Sequence, residues 1–172
     1  MKLEFRDLKA EEIDVRIAQV TEKGVSLLLY KDARVDQNIL DETVGNMEWQ
    51  KHYSRDNANC IVSIWDSDKK QWIEKEDTGT ESFTEKEKGL ASDSFKRACF
   101  NWGIGRELYT APFIWITPEN CNIVVNQKTG KPTCYDKFYV EKIAIDNKKI
   151  IGLAIRNFTT KKRVFIYDIS KE

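Results

Sequence analysis

The chain has 172 residues, of which 41% are hydrophobic and 33% charged, and its 28 basic residues balance 28 acidic ones. This length and composition fit a soluble globular domain, and the few glycines and prolines argue against long disordered linkers. No stretch approaches the ~20 apolar residues of a membrane span, and the N-terminal segment lacks the apolar centre of a signal peptide. We therefore expect a cytoplasmic protein with no membrane partner.

The cysteines and the histidine offer little for metal or nucleophilic chemistry. A lone histidine, His52, supports neither a metal centre nor a catalytic triad. The cysteines are widely spaced, whereas zinc sites use closely paired ligands. They are Cys60, Cys99, Cys121 and Cys134. We expect buried, reduced thiols, and no metal or other cofactor.

The charges are unevenly distributed along the chain. From residue 128 to the C-terminus, eleven Lys and Arg residues and five Asp and Glu residues give a net charge of +6, so the remainder carries −6. This part of the chain is either an ordinary solvated surface or a basic face on a neutral protein. The second interpretation is physically meaningful because the electrostatic field depends on where charges lie, not only on their sum.

The first half of the chain predicts a hairpin, a helix and three strands. Residues 14–30 contain two strand-like runs around a Glu-Lys-Gly turn, which is typical of a β-hairpin. Asp32 can cap a helix over residues 33–44, and Gly45 can end it. Three strands are predicted to follow, at residues 47–53, 59–66 and 71–79. The middle strand is apolar on both faces, so we expect it in the centre of its sheet or beneath a helix.

A long amphipathic helix is predicted from about Thr84 to Trp102. Residues 84–87 fit a capping box, and Gly103 is the expected end of the helix. At about 100° per residue, one side is apolar and must face the core. This side carries Ala91, Phe95, Ala98, Cys99 and Trp102, and the opposite side carries Asp93, Lys96, Arg97 and Phe100.

The remainder of the chain is rich in strand-like sequence. After a loop or irregular strand around residues 110–119, three strands are predicted at residues 137–145, 149–155 and 163–169. The order of elements predicts an α+β fold with a mostly antiparallel sheet packed by a long helix. It has a β-β-α-β-β-β-α core and a β-rich C-terminal part. We place the core domain at residues 1–118 and a C-terminal extension of the same domain at residues 119–172.

The outward side of the long helix carries two cations beside an aromatic ring. Phe100 is four residues from Lys96 and three from Arg97, so their side chains share one patch. Cations bind the phosphates of single-stranded nucleic acid, and a ring offers a stacking surface worth ~1–3 kcal/mol per base whatever the base. The same pattern also fits a phenylalanine that packs beneath a neighbouring strand or subunit while the cations are solvated.

The sequence gives little support for an enzyme. Arg106 follows a Gly-x-Gly that lacks the Gly-Lys-Ser/Thr of a phosphate loop and comes after a helix rather than a strand. Glu74, Glu76 and Asp77 around Lys75 form the one plausible nuclease cluster. Because side chains alternate along a strand, Glu74 and Glu76 lie opposite Asp77 and converge poorly on a metal ion. We therefore expect a protein that is not an enzyme.

Two segments, residues 30–50 and 72–109, closely resemble phage and prophage single-strand annealing proteins of the Rad-fifty-two type, in particular the Sak-like branch. The most specific parts are Ser-Asp-Ser-Phe-Lys-Arg-Ala at residues 92–98 and Gly-Ile-Gly-Arg-Glu-Leu-Tyr at residues 103–109. The likeness extends over residues 30–116. It implies an α+β annealing fold that assembles into homo-oligomeric rings, with single-stranded DNA in a basic groove and no nucleotide cofactor.

The resemblance also assigns roles to individual residues. The family's Lys-Arg pair, which contacts the DNA backbone, corresponds to Lys96 and Arg97. Eukaryotic members carry a further basic residue one turn later, where this chain has Phe100, and we expect Phe100 to stack on bases or to pack between subunits. Arg106 and Lys75 are expected to add supporting positive charge.

The function implied by the resemblance is ATP-independent binding of single-stranded DNA and annealing of complementary strands in homologous recombination and repair. The protein would be phage-encoded or bacterial, and a single-strand-binding protein or an exonuclease is a candidate further partner. The alternative is a structural or interaction protein that uses Lys96, Arg97 and Phe100 as a subunit interface. A metal-dependent nuclease is the third possibility.

Overall fold

A computed structural model describes residues 3–80 and 86–169, without the side chains of residues 86–88. The predicted capping box at residues 84–87 lies outside these described residues. The helices are α1 (Ala33–Val44) and α2 (Lys86–Trp102). The strands are β1 (Asp14–Thr21), β2 (Gly24–Tyr30), β3 (Trp49–Ser54), β4 (Asn59–Asp66), β5 (Gln71–Thr78), β6 (Ile114–Ile116), β7 (Ile123–Val125), β8 (Pro132–Cys134), β9 (Phe138–Asp146), β10 (Lys149–Asn157) and β11 (Arg163–Asp168).

These elements group into two compact units, neither of which is continuous in sequence. Among the described residues, the helical unit comprises residues 3–7, 32–80 and 86–106, and the strand unit comprises residues 8–31 and 107–169. The hairpin β1–β2 belongs to the strand unit because β1 pairs with β9 and β2 pairs with β6. The predicted division at residue 118 is a different partition of the chain and stays a prediction.

The helical unit packs its helices on a three-stranded antiparallel sheet of order β3-β4-β5. Strand β4 is central and lies beneath α2, as its two apolar faces predict. Helix α1 also has the predicted ends. The Asp32 carboxylate accepts the backbone N–H of Arg34 at 2.8 Å, and Gly45 ends the helix with a φ of 91°.

Helix α2 turns the predicted side towards the sheet. Phe95, Ala98 and Cys99 are fully buried, and the ring of Phe95 stacks on Trp49 of β3 with 6.2 Å between centroids. Trp102 is half-buried and donates its Nε1–H to a backbone carbonyl of β4 at 3.0 Å. Ala91 is half-buried as well. The rotation of the helix that the apolar spacing predicts is therefore confirmed.

The segment after β5 passes against α2 at a glycine. A Cβ on Gly79 would lie 2.5 Å from the backbone nitrogen of Ser94 and 2.9 Å from its Cα, so a larger residue would have to displace the helix. Two neighbouring contacts hold the helix at this place. Asp93 accepts the N–H of Thr80 at 2.8 Å, and the Ser94 hydroxyl donates to the carbonyl of Asn57 at 2.9 Å.

The strand unit contains a six-stranded antiparallel sheet of order β11-β10-β9-β1-β2-β6 and the separate hairpin β7–β8. Its two edge strands, β11 and β6, approach each other, so the sheet curls into a nearly closed barrel. The buried residues of this sheet include Val25, Leu27, Ile114, Ile116, Phe138, Val140, Ile150, Leu153 and Ile155. Together the units confirm the predicted α+β class, the mostly antiparallel pairing and the β-rich C-terminal part.

Within the described ranges, neither helix is long and apolar enough to cross a membrane.

Candidate functional site

The outward side of α2 brings together four of the five residues that the sequence singled out. Lys96 and Phe100 are half-buried, Arg106 is exposed, and the Arg97 side chain is 44% exposed. The guanidinium carbon of Arg106 lies 5.5 Å from the centroid of the Phe100 ring, which is within the range of a cation–π contact. We call these four residues, Lys96, Arg97, Phe100 and Arg106, the α2 face.

A Schellman turn at the end of α2 is what returns Arg106 to this face. Gly103 has a φ of +104°, a conformation that favours glycine. The N–H of Ile104 bonds to the carbonyl of Cys99 at 3.2 Å, and the N–H of Gly103 bonds to the carbonyl of Phe100 at 3.0 Å. The Gly-Ile-Gly-Arg segment is therefore a device that ends the helix and reverses the chain, and it places a cation beside the ring.

Two cations bind the carbonyl groups at the C-terminal end of α2. Arg106 donates from Nε to the carbonyl of Phe100 at 2.8 Å and from Nη2 to that of Asn101 at 3.0 Å. Lys75 donates to the same Asn101 carbonyl at 2.8 Å, and its Nζ lies 4.6 Å from the centroid of the Trp102 ring. Such carbonyls lack partners within the helix, and a cation there contributes ~0.3–1 kcal/mol. Lys75 thus lies on the sheet side of α2 and is not part of the α2 face.

Arg97 is paired with an acid of its own unit. Its Nε lies 3.4 Å from Oδ1 of Asp77, whose other oxygen accepts from the side-chain amide of Asn101 at 3.2 Å. A pair this exposed contributes only about 0–1 kcal/mol to stability. The contact uses Nε alone, so within the described part of the chain the two terminal amino groups of Arg97 remain available to a phosphate.

Lys96 lies near the N-terminal end of α1. The pKa of the Asp32 carboxyl is lowered mainly by hydrogen bonds from Arg34, and the charge of Lys96 makes a smaller contribution in the same direction. Arg34 itself has an 83% exposed side chain. Its Nε and Nη2 bond to the Asp32 carboxylate at 3.0 and 3.2 Å, so Arg34 and Lys96 are both neighbours of this acid. The sequence analysis did not single out Arg34, and its position two residues after the capping Asp32 is the feature that could have identified it.

The acidic residues of β5 do not converge. Glu74 accepts from the hydroxyl of Ser63 at 3.4 Å and Glu76 from the amide of Asn59 at 2.6 Å, whereas Asp77 lies on the other face beneath α2. Strand alternation predicted this separation. Among the described residues, no group of three or more His, Cys, Asp or Glu side chains could hold a metal ion.

Comparison with known proteins identifies no relative, since no protein-family model, no curated protein and no solved structure matches this chain.

Proposed function

We propose that this protein binds single-stranded DNA through the α2 face and anneals complementary strands without a nucleotide cofactor. The observation that supports the proposal is the composition of that face. A half-buried Phe100 ring has the Arg106 guanidinium 5.5 Å from its centroid, and Lys96 and Arg97 lie one turn away on the same side of a helix whose other side is buried. A core helix has no need of such a face.

The chemistry divides between the backbone and the bases of the strand. Lys96 and the terminal amino groups of Arg97 bind phosphates, and the exposed Arg34 adds a further cation beside Asp32. Phe100 stacks on a base without regard to its identity, and Arg106 on the ring strengthens that contact. Because the contacts are to phosphates and base faces, the pairing edges of the bases stay accessible to a complementary strand. Annealing requires this arrangement.

The small number of cations on each chain favours an assembly. Asp32 and Asp77 offset part of the charge of the α2 face, so one subunit makes only a few phosphate contacts. Useful affinity then requires many subunits on one strand. We propose a homo-oligomer, with the ring that the resemblance implies, acting in the recombination and repair of a phage or its bacterial host.

A second candidate function uses the same face as a subunit interface. It is favoured by the ion pair of Arg97 with Asp77, because a cation that is already paired costs less to bury. In this case Phe100 packs against a neighbouring subunit, and the protein is a structural or interaction protein.

The substitution Phe100→Ala separates the two candidates. If Phe100 stacks on DNA, we expect this variant to bind a fluorescein-labelled oligothymidylate at least about fivefold more weakly than the wild type. The dependence of binding on salt should stay unchanged, because stacking releases no counterion. Phe100→Tyr should preserve binding. Phe113→Ala removes a ring of the strand unit that is 77% exposed and serves as the matched control. Unchanged affinity together with a changed assembly mass in light scattering would instead establish the interface.

A further inference from the structure

A second basic and aromatic surface lies on the outside of the strand unit. The register of the sheet pairs Tyr139 of β9 with Arg156 of β10, and Arg156 with Arg163 of β11. Side chains directly opposite in an antiparallel sheet share a face, so these three form one row across three strands. Tyr139 alternates with the buried Phe138 and Val140, which places the row on the outside of the barrel.

A single carboxylate fixes both arginines of this row. Glu141 accepts from Nη2 of Arg156 at 2.7 Å and from Nε of Arg163 at 2.6 Å. The hydrogen bond from Arg163 is the largest cause that lowers the pKa of Glu141 to about 2, so the carboxylate stays ionised at neutral pH. Two cations held by one anion leave an excess of positive charge. Within the described residues, the two terminal amino groups of Arg163 have no hydrogen-bond partner.

An exposed phenylalanine next to this row is held outward by a well-anchored loop. Phe158 is 56% exposed, and its ring meets the 40% exposed Tyr139 edge-to-face with 6.2 Å between centroids. The preceding Asn157 is fully buried, donates to Asp136 at 2.7 Å and accepts the N–H of Thr159 at 2.9 Å. The hydrogen bonds of Asn157 thus hold the Phe158 ring in an exposed position, although an exposed ring contributes little buried apolar area to stability.

Further cations surround the two rings. The Nζ of Lys161 lies 3.6 Å from the centroid of the Phe158 ring, and the Lys161 carbonyl accepts from Arg156 at 3.3 Å. Lys137 is exposed and shares the outer side of β9 with Tyr139, since buried Phe138 separates them. The same three strands also carry an open depression of about 420 Å³, whose lining includes Lys142, Ala144, Gly152, Ala154 and Asp168.

We propose that this surface, which we call the barrel face (Tyr139, Arg156, Phe158, Lys161 and Arg163), is a second binding site for single-stranded nucleic acid. Arg163 and Lys161 bind phosphates, and an unpaired base stacks on Phe158 beside Tyr139. Exposed rings between cations select for a strand with unstacked bases. A duplex would use only the cations, because its bases are already stacked. The site uses residues of the strand unit alone and does not depend on the α2 face.

The test measures fluorescence anisotropy of a fluorescein-labelled oligothymidylate with the full chain over a range of salt concentrations. We expect Phe158→Ala to weaken binding about fivefold or more, and Phe158→Trp to retain it. The double variant Lys161→Ala with Arg163→Ala should reduce the log–log salt slope by about 0.7 for each lost contact. Lys128→Ala with Lys131→Ala removes the same charge from the β7–β8 loop and should change little. Far-UV circular dichroism checks that each variant folds.

The outcomes distinguish this proposal from the one for α2. If Phe158→Ala weakens binding further in a chain that already carries Lys96→Ala and Arg97→Ala, the barrel face is an independent site. If the Lys96/Arg97 variant binds like the wild type while the barrel-face variants bind more weakly, the α2 proposal fails and the barrel-face proposal stands. The barrel-face proposal is overturned if Phe158→Ala and the Lys161/Arg163 variant bind with wild-type affinity and salt slope. A change in assembly mass without a change in affinity, or equal competition by unlabelled duplex, also overturns it.

Discussion

Substitution of Gly79 by alanine should test whether the packing of α2 against the end of β5 sets the position of the α2 face. The added Cβ would lie 2.5 Å from the backbone nitrogen of Ser94, against about 3.4 Å for ordinary contact, so the helix and the segment that carries Gly79 must separate by about 0.9 Å. Both clashing atoms belong to the backbone, and no side chain can rotate to relieve them. Overpacking of this kind costs ~1–3 kcal/mol, which for a chain of this size lowers the melting temperature by about 2–12 °C.

Thermal unfolding followed by circular dichroism measures this cost, and oligonucleotide binding measures its effect on the α2 face. Gly45→Ala is the control, because Gly45 has a φ of +91° but no atom within 4 Å of an added Cβ. The Gly45→Ala variant therefore measures the cost of backbone strain alone, without any steric clash of the added Cβ. We expect Gly79→Ala to destabilise the protein and to weaken DNA binding, and Gly45→Ala to destabilise it with little effect on binding. A Gly79→Ala protein with wild-type melting temperature and affinity would refute the close approach of α2.

Three further predictions concern stability. Trp102→Ala should cost about 3 kcal/mol in unfolding free energy, because it removes a large ring and its bond to β4, and an unchanged midpoint of chemical denaturation would contradict the packing of α2. Arg106→Ala should lower the melting temperature by about 1–4 °C, since helix-end carbonyls lose a cation. The ionised Glu141 stabilises the fold above its ordinary pKa of 4.5, and this contribution should disappear as the pH falls towards 2. The difference in melting temperature between the wild type and Glu141→Gln should therefore vanish over that pH range. A difference that stays constant would argue against the ion pairs.

Local sequence patterns predicted most of the individual elements. The apolar spacing of α2, the capping Asp32 and the turn residues around β4 and β5 act within a few residues of one another, so their effects can be read from the sequence. The grouping into two units could not be predicted in this way. It depends on the pairing of β1 with β9 and of β2 with β6, which join distant parts of the chain.

In the candidate site, too, local spacing was predictable from the sequence and long-range contacts were not. Helical spacing correctly placed Lys96, Arg97 and Phe100 on one outward side. The contact of Lys75 with the carbonyl of Asn101 was not foreseen, because strand alternation shows which face a residue takes but not which helix end lies above it. The hairpin β7–β8 was also missed, since its strands have only three residues each and show no measurable period.

The salt dependence of single-stranded DNA binding by the double variant Lys96→Ala with Arg97→Ala tests the central proposal most directly. Both side chains lie on the outward side of α2, opposite the side that packs on the sheet, so the variant should fold. We expect weaker binding and annealing, and a log–log salt slope reduced by about 0.7 for each lost phosphate contact. Lys69→Ala with Lys70→Ala removes the same charge from the exposed β4–β5 turn and should leave both quantities unchanged. If the Lys96/Arg97 variant binds with wild-type affinity and salt slope, the α2 face is not the DNA-binding site.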